Sequence, residues 1–109
     1  MITIACLLGG CGSGPSISEG GLDSPDPAAR LYAIQRAGQT KDRSKIMPLI
    51  ERLDSDDAAE RLLAINALER ITGTRHGYDP YGTAQQRVSA IDAWVDYAKS
   101  SQNVESATP

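Results

Sequence analysis

The feature that most constrains this chain is a repeat. Residues 22–37, LDSPDPAARLYAIQRA, and residues 53–68, LDSDDAAERLLAINAL, align without a gap at an offset of 31 residues and share Leu, Asp, Ser, Asp, Ala, Arg, Leu, Ala and Ile. A third, shorter echo, RVSAIDAW at 87–94, keeps the Arg, Ala and Ile spacing. A period near thirty marks a helical unit that cannot bury its apolar face alone and stacks on the next copy to do so. The expected fold class is therefore all-α. Composition agrees, because Phe is absent while Ala, Leu, Ile and Arg recur, a mixture that favours helices over strands.

Each copy opens like a helix. Ser24 and Ser55 are placed to accept the free N–H groups of a first turn, and Pro25 sits where its missing donor costs nothing. Asp26 and Asp57 fall in the first turn, where a carboxylate suits the helix dipole. Each also precedes an arginine, Arg30 or Arg61, by four residues, the spacing of an acid-to-base pair on one helix face. Ahead of the third echo, Thr83 and Gln86 have capping-box spacing. Apolar spacing then predicts about four helices. Ala28, Leu31, Ile34 and Ala37 line the first; Ile46, Leu49, Ile50 and Leu53 line the second, which begins near Asp42 to Ser44 with Pro48 in its opening turns. The third carries Leu62, Ile65, Leu68 and Ile71, widened by Leu63 and Ala64, and the fourth carries Val88, Ile91, Trp94, Val95 and Ala98.

The repeated pattern LDS-x-D-x-x-x-R-L-x-A-I, followed in its first copy by KDRSKIMPLIERL, resembles bacterial HEAT repeats of the short type. The resemblance implies an α-solenoid fragment of two to two and a half helical hairpins over residues 24–100, with the last helix and Trp94 capping the open end. Tetratricopeptide repeats have a similar period, about 34, but their Trp/Gly/Tyr signature is missing from both copies. What the HEAT resemblance implies for function is a non-catalytic protein-interaction or scaffold module with an unknown protein partner. The alternatives are an accessory subunit of an enzyme, since repeats of the short type are associated with phycobilisome lyases, and a soluble cytoplasmic repeat protein. Arg30, Arg61 and Arg87 recur in register and are expected to form a hydrogen-bonded ladder between repeats, the other reading being a ligand site.

The start of the chain bears on location. Residues 2–10, ITIACLLGG, are too short to span a bilayer, which needs about 20 apolar residues, but long enough for the centre of a secretory signal. The two cysteines, Cys6 and Cys11, stand five residues apart at this end with no later cysteine to reach, so they cannot staple a downstream domain. Leu8-Gly9-Gly10-Cys11 resembles the bacterial lipobox. That resemblance implies a cleaved signal peptide over 1–10, a diacylglycerol on the Cys11 thiol, and a membrane anchor in the bacterial cell envelope facing the periplasm. Gly12 in place of the inner-membrane retention Asp implies the outer membrane. Residues 11–23 then form a polar Gly/Ser tether with a reach of about 20 Å over some 13 residues. The alternative is an idle N-terminal tail on a cytoplasmic protein. Residues 101–109 read as a disordered tail.

Between the third and fourth helices lies TGTRHGYDPYG, residues 72–82. It concentrates Arg75, His76, Tyr78 and Tyr81, residue types that make binding hot spots when exposed, and these are the candidate partner-binding residues. The competing structural reading has Tyr78 fold back onto the core and pin the last helix. Gly73 is placed to end the third helix through a left-handed backbone, and Asp79-Pro80 to start a turn. No catalytic residues are expected: a lone His three residues from an Asp lacks a nucleophile and a pocket to shift a pKa. One His and two clustered thiols do not make a zinc site, and Asp54, Asp56 and Asp57 lack the glycine and distal Glu of a calcium loop. No cofactor and no small-molecule substrate are expected. With a net charge of −3 and no Lys/Arg cluster, neither is a nucleic-acid partner.

Overall fold

The computed structural model describes residues 21–107. The fold is all-α, and the described residues form four helices, α1 Pro27–Gln39, α2 Ile46–Arg52, α3 Ala58–Thr72 and α4 Ala84–Ala107; a 3-10 turn, Arg43–Lys45, leads into α2, and no strand occurs among the described residues. The signal segment, Cys11 and the tether as far as residue 20 lie outside the described residues. The expected tail from residue 101 begins as helix, since α4 continues to Ala107.

The helix starts differ from the sequence expectation by two residues. Asp26 and Asp57, rather than the serines, are the N-caps, and their carboxylates accept the N–H groups of Ala28 at 3.1 Å and Ala59 at 2.9 Å. Ser24 and Ser55 stand one step earlier, their hydroxyls accepting the N–H groups of Asp26 and Asp57 at 3.1 Å. In α1 the reason is Pro27, whose fixed φ and absent donor suit the first helical position and leave Asp26 as the cap. Ala28 faces solvent and Ala29 is buried, because strict three-residue spacing drifts about 60° per step from the face that carries Ile34 and Ala37. At the 3-10 turn Asp42 accepts from Ser44 N–H at 3.0 Å and from its hydroxyl at 2.6 Å. Chiefly the Ser44 hydroxyl holds this carboxyl below its ordinary range.

Helices α1 and α3 pack in parallel. Arg30 of α1 reaches Glu60 of α3, and Gly38 near the end of α1 lies against Ala67 of α3. A Cβ on Gly38 would stand 2.9 Å from the Ala67 Cα, so only glycine permits this approach. Helix α2 fits its expected stripe, with Ile46, Leu49, Ile50 and Leu53 all buried, and it packs on both α3 and α4. Trp94 of α4 has no exposed surface. The buried stripe of α4 is Ala90, Trp94 and Ala98, while Val88, expected inside, is 50% exposed. Leu31 and Leu62 are only half-buried.

The chain directions depart from simple helical hairpins. Arg43, just before α2, reaches Ile71 O and Tyr97 OH at 3.4 Å each, so α2 runs opposite to both α3 and α4. Between α3 and α4 the chain travels back along α3: Arg75 bonds Glu69, Tyr78 reaches Leu53 O, and Pro80 O meets Arg61. Helices α1, α3 and α4 thus share one direction. The return leg that α2 makes as a helix is made after α3 by an irregular segment, residues 73–83.

Candidate functional site

Residues 73–83 and the helix they lead into form the most elaborated surface of the molecule. Gly73, at φ 86, ends α3 with its N–H on Glu69 O at 2.7 Å. The Thr72 hydroxyl donates back to Leu68 O and accepts Thr74 N–H, and the Thr74 hydroxyl accepts His76 N–H at 3.1 Å. His76 at φ 48 and Gly77 at φ 73 then reverse the chain through consecutive left-handed residues. That conformation is uncommon for a side chain other than glycine, and at His76 it sets the imidazole against α4.

There His76 packs edge-on to Trp94, with ring centres 4.5 Å apart and planes at 82°, and lies 5.1 Å from the Tyr97 ring. Trp94 and Tyr97 are themselves edge-to-face at 5.6 Å. Such arrangements set the positive edge of one ring on the negative face of another. Trp94 Nε1 donates to Arg75 O at 3.0 Å, so the buried indole is also satisfied. His76 Nε2 is buried and has no hydrogen-bond partner among the described residues.

The four candidate residues have four different placements. Arg75 lies along α3, its guanidinium donating to Glu69 at 2.8 Å and Asn66 at 3.2 Å. His76 belongs to the aromatic cluster. Tyr78 is 3% exposed and its hydroxyl donates to Leu53 O at 2.6 Å, which places it in the core rather than on the surface. Burial pushes its hydroxyl pKa up, against the opposing charges of Arg61 and Arg87. Tyr81 is 70% exposed. Its backbone is held by the Asp79 carboxylate, which accepts Tyr81 N–H at 2.9 Å, the turn expected at Asp79-Pro80. Thr83 and Gln86 form the expected capping box, with reciprocal bonds of 2.9 and 3.1 Å.

A shallow open cleft of about 490 Å³ lies between His76, Gly77 and Asp79 on the loop and Gln85, Ser89 and Ala93 on α4. Its polar side chains are the His76 imidazole, two amides, a hydroxyl and one carboxylate. His76 is committed to aromatic neighbours and Asp79 to a backbone N–H, so they are not joined as an acid and its base. Among the described residues no group of three or more His, Cys, Asp or Glu is placed to hold a metal ion, and no helix is long and apolar enough to cross a membrane.

The arginines at equivalent positions form a ladder. The terminal nitrogens of Arg30, Arg61 and Arg87 donate to Ser24 O, Ser55 O and Gly82 O at 2.7, 2.8 and 2.8 Å, each closing the loop ahead of its own helix. Arg30 and Arg61 extend further, through Nε, to the next unit: Arg30 to Glu60 at 3.1 Å and Arg61 to Pro80 O at 3.1 Å. The expected pairs of Asp26 with Arg30 and Asp57 with Arg61 give way to these contacts, because both aspartates are used as caps. Glu60, 2% exposed, was not singled out by the sequence. It takes two bonds from Arg30, at 3.1 and 2.9 Å, and lies 3.8 Å from Arg52. The pairing with Glu60 raises the Arg30 pKa. The repeat alignment sets Glu60 opposite Ala29, itself buried in the first unit, and that equivalence is the one trace of its burial in the sequence.

Comparison of the chain with protein-family models, with curated proteins and with solved structures finds no match in any of the three.

Proposed function

We propose that this chain is a non-catalytic protein-interaction module, a short HEAT-like stack held at a bacterial membrane through an acylated Cys11. The observation that carries the reading is the repeated unit. Three parallel helices each use an in-register arginine to close their own leading loop, and two of those arginines bridge to the following unit. Stacks of this kind present extended side-chain surfaces rather than enclosed reaction chambers. In this module the partner-facing loop is 73–83, with Tyr81 as its exposed aromatic, and Tyr78 serves the fold. The anchor is supported by the lipobox-like LGGC and by the Gly/Ser stretch after it.

Two measurements test the reading. Mass spectrometry of the intact protein from its own cells is expected to show an acylated N-terminal cysteine, with Cys11→Ala moving the protein from membrane to soluble fractions. An unmodified Cys11, or equal membrane association of the variant, refutes the anchor. Affinity purification on the wild type, compared with Tyr81→Ala plus Arg75→Ala, is expected to lose a partner protein from the double variant while circular dichroism stays unchanged. Equal recovery of every bound protein makes the loop a structural element only.

A further inference from the structure

A second surface lies away from the loop. Along the outer seam of α2 and α4, Met47, Val88, Ile91 and Val95 stand half-buried or exposed over Ile50, around an open groove of about 450 Å³. Val88 is the residue whose position in the apolar stripe predicted burial and which is 50% exposed. Exposed carboxylates close the groove on both sides, Glu51 and Asp54 from the α2 side and Asp92 from α4, and none of its lining residues is Lys or Arg.

The geometry points to this groove as the docking site for a basic amphipathic helix of a partner protein, apolar side chains in the groove and Lys or Arg over Glu51, Asp54 and Asp92. Charge decides between occupants. A second copy seated face to face would bring the same carboxylates together, a repulsive arrangement. Residues 1–20 and 108–109 contain no Lys or Arg, and Glu19 is their one charged side chain, so neither of these stretches carries the complementary side-chain charge. An anionic lipid surface is repelled for the same reason. A helix with apolar residues at i, i+3, i+4 and i+7 and flanking cations satisfies both the groove and its rim. This rests on the interaction-module reading and adds to the 73–83 loop a second face, together with the class of partner that this face receives.

The test is methyl NMR on the full chain with three synthetic peptides. One is a helix with leucines at that spacing flanked by lysines, the second has glutamates in place of the lysines, and the third keeps the lysines but scrambles the leucine spacing. Saturable shifts of the Ile50, Val88, Ile91 and Val95 methyls by the first peptide alone are expected, weakening with added salt. Glu51→Lys with Asp92→Lys is expected to weaken binding by about tenfold without altering the circular dichroism. Equal binding of the lysine and glutamate peptides, shifts centred on the 73–83 loop, or a dimer formed through the groove in sedimentation overturns the proposal. A partner protein that binds the wild type and Glu51→Lys/Asp92→Lys alike removes the groove while leaving the module. Recovery of no partner protein by the wild type in the affinity experiment removes the module itself.

Discussion

Removing one oxygen atom tests the route of the loop. The Tyr78 ring is 3% exposed, and its hydroxyl donates to the carbonyl of Leu53, the C-cap of α2, at 2.6 Å. A carbonyl at a helix end has no following turn to supply an N–H, so the tyrosine takes that place. Tyr78→Phe keeps the ring and leaves the acceptor without this donor in a buried setting, at a cost of about 1–3 kcal/mol. In a domain of this size each kcal/mol is about 4–8 °C of Tm. The expected drop is therefore roughly 5–20 °C by far-UV circular dichroism. Tyr78→Ala also removes the ring, costing about 3–5 kcal/mol. A folded unit of roughly 80 residues has only about 4–12 kcal/mol in total, so this variant is expected to lose a large part of its stability and to melt below Tyr78→Phe. Tyr81→Ala, at a 70% exposed site, is the control and is expected to stay within about 0.5 kcal/mol of wild type. If Tyr78→Phe melts with the wild type, the hydroxyl does not pin the loop, and the account of how α4 is positioned fails.

The same residue gives an alkaline signature. Burial raises the Tyr78 pKa in the folded state, so the stability it contributes is whole below the unfolded value of about 10 and is lost as pH rises through the folded value. Tyr78→Phe is expected to flatten the fall in Tm above that pH, and an unchanged slope refutes the assignment. Gly38→Ala sets a helix-propensity gain of about 1 kcal/mol against overpacking of about 1–3 kcal/mol, because the new Cβ meets the Ala67 Cα at 2.9 Å; net destabilisation in urea is expected, and a full propensity gain means the helices do not approach this closely. Asp57→Ala is expected to cost about 1 kcal/mol as a lost cap and Ser55→Ala less, an order that reverses if the serine caps α3. Glu60→Leu leaves Arg30 without its carboxylate and is expected to lower Tm, with Arg30→Met added to it restoring part of the loss; no restoration means the ion pair does not couple α1 to α3.

Much of the fold was legible because the repeat states it twice. The aligned Leu, Ala and Ile positions placed α1 and α3, and the stripe from Ile46 to Leu53 placed α2 with all its core residues correct. What failed was phase at the helix starts. Serine and aspartate both cap, two residues apart in each copy, and in both copies the aspartate takes the cap, whether Pro27 or Ala58 follows it. Strict three-residue spacing ran off the buried face and left Ala28 outside, and the aspartates, once used as caps, freed Arg30 and Arg61 to bridge between units. Glu60 was invisible for a related reason. A charged residue in the first turn of a helix looks like a solvent-facing partner for the dipole, and only stacking against α1 makes it a buried one.

The loop shows most clearly where local pattern stops and tertiary geometry begins. Residues 73–83 were recognisable as too long and too aromatic for a plain turn, and both the Gly73 cap and the Asp79-Pro80 turn were readable. Their direction was not, because it is carried by contacts distant in sequence: Tyr78 with Leu53, and Pro80 with Arg61. Those contacts make the segment the return leg that a second helix occupies in the first unit, and they explain why the echo at Arg87 follows Arg61 by fewer residues than Arg61 follows Arg30. The backbone of 73–83 is a run of turns rather than a helix advancing about 1.5 Å per residue, and it covers the leg in fewer residues. A leg made this way leaves side chains rather than a helix surface facing outward. The one segment of the stack that gives up helical regularity is therefore also the one that displays Tyr81 and frames the polar cleft.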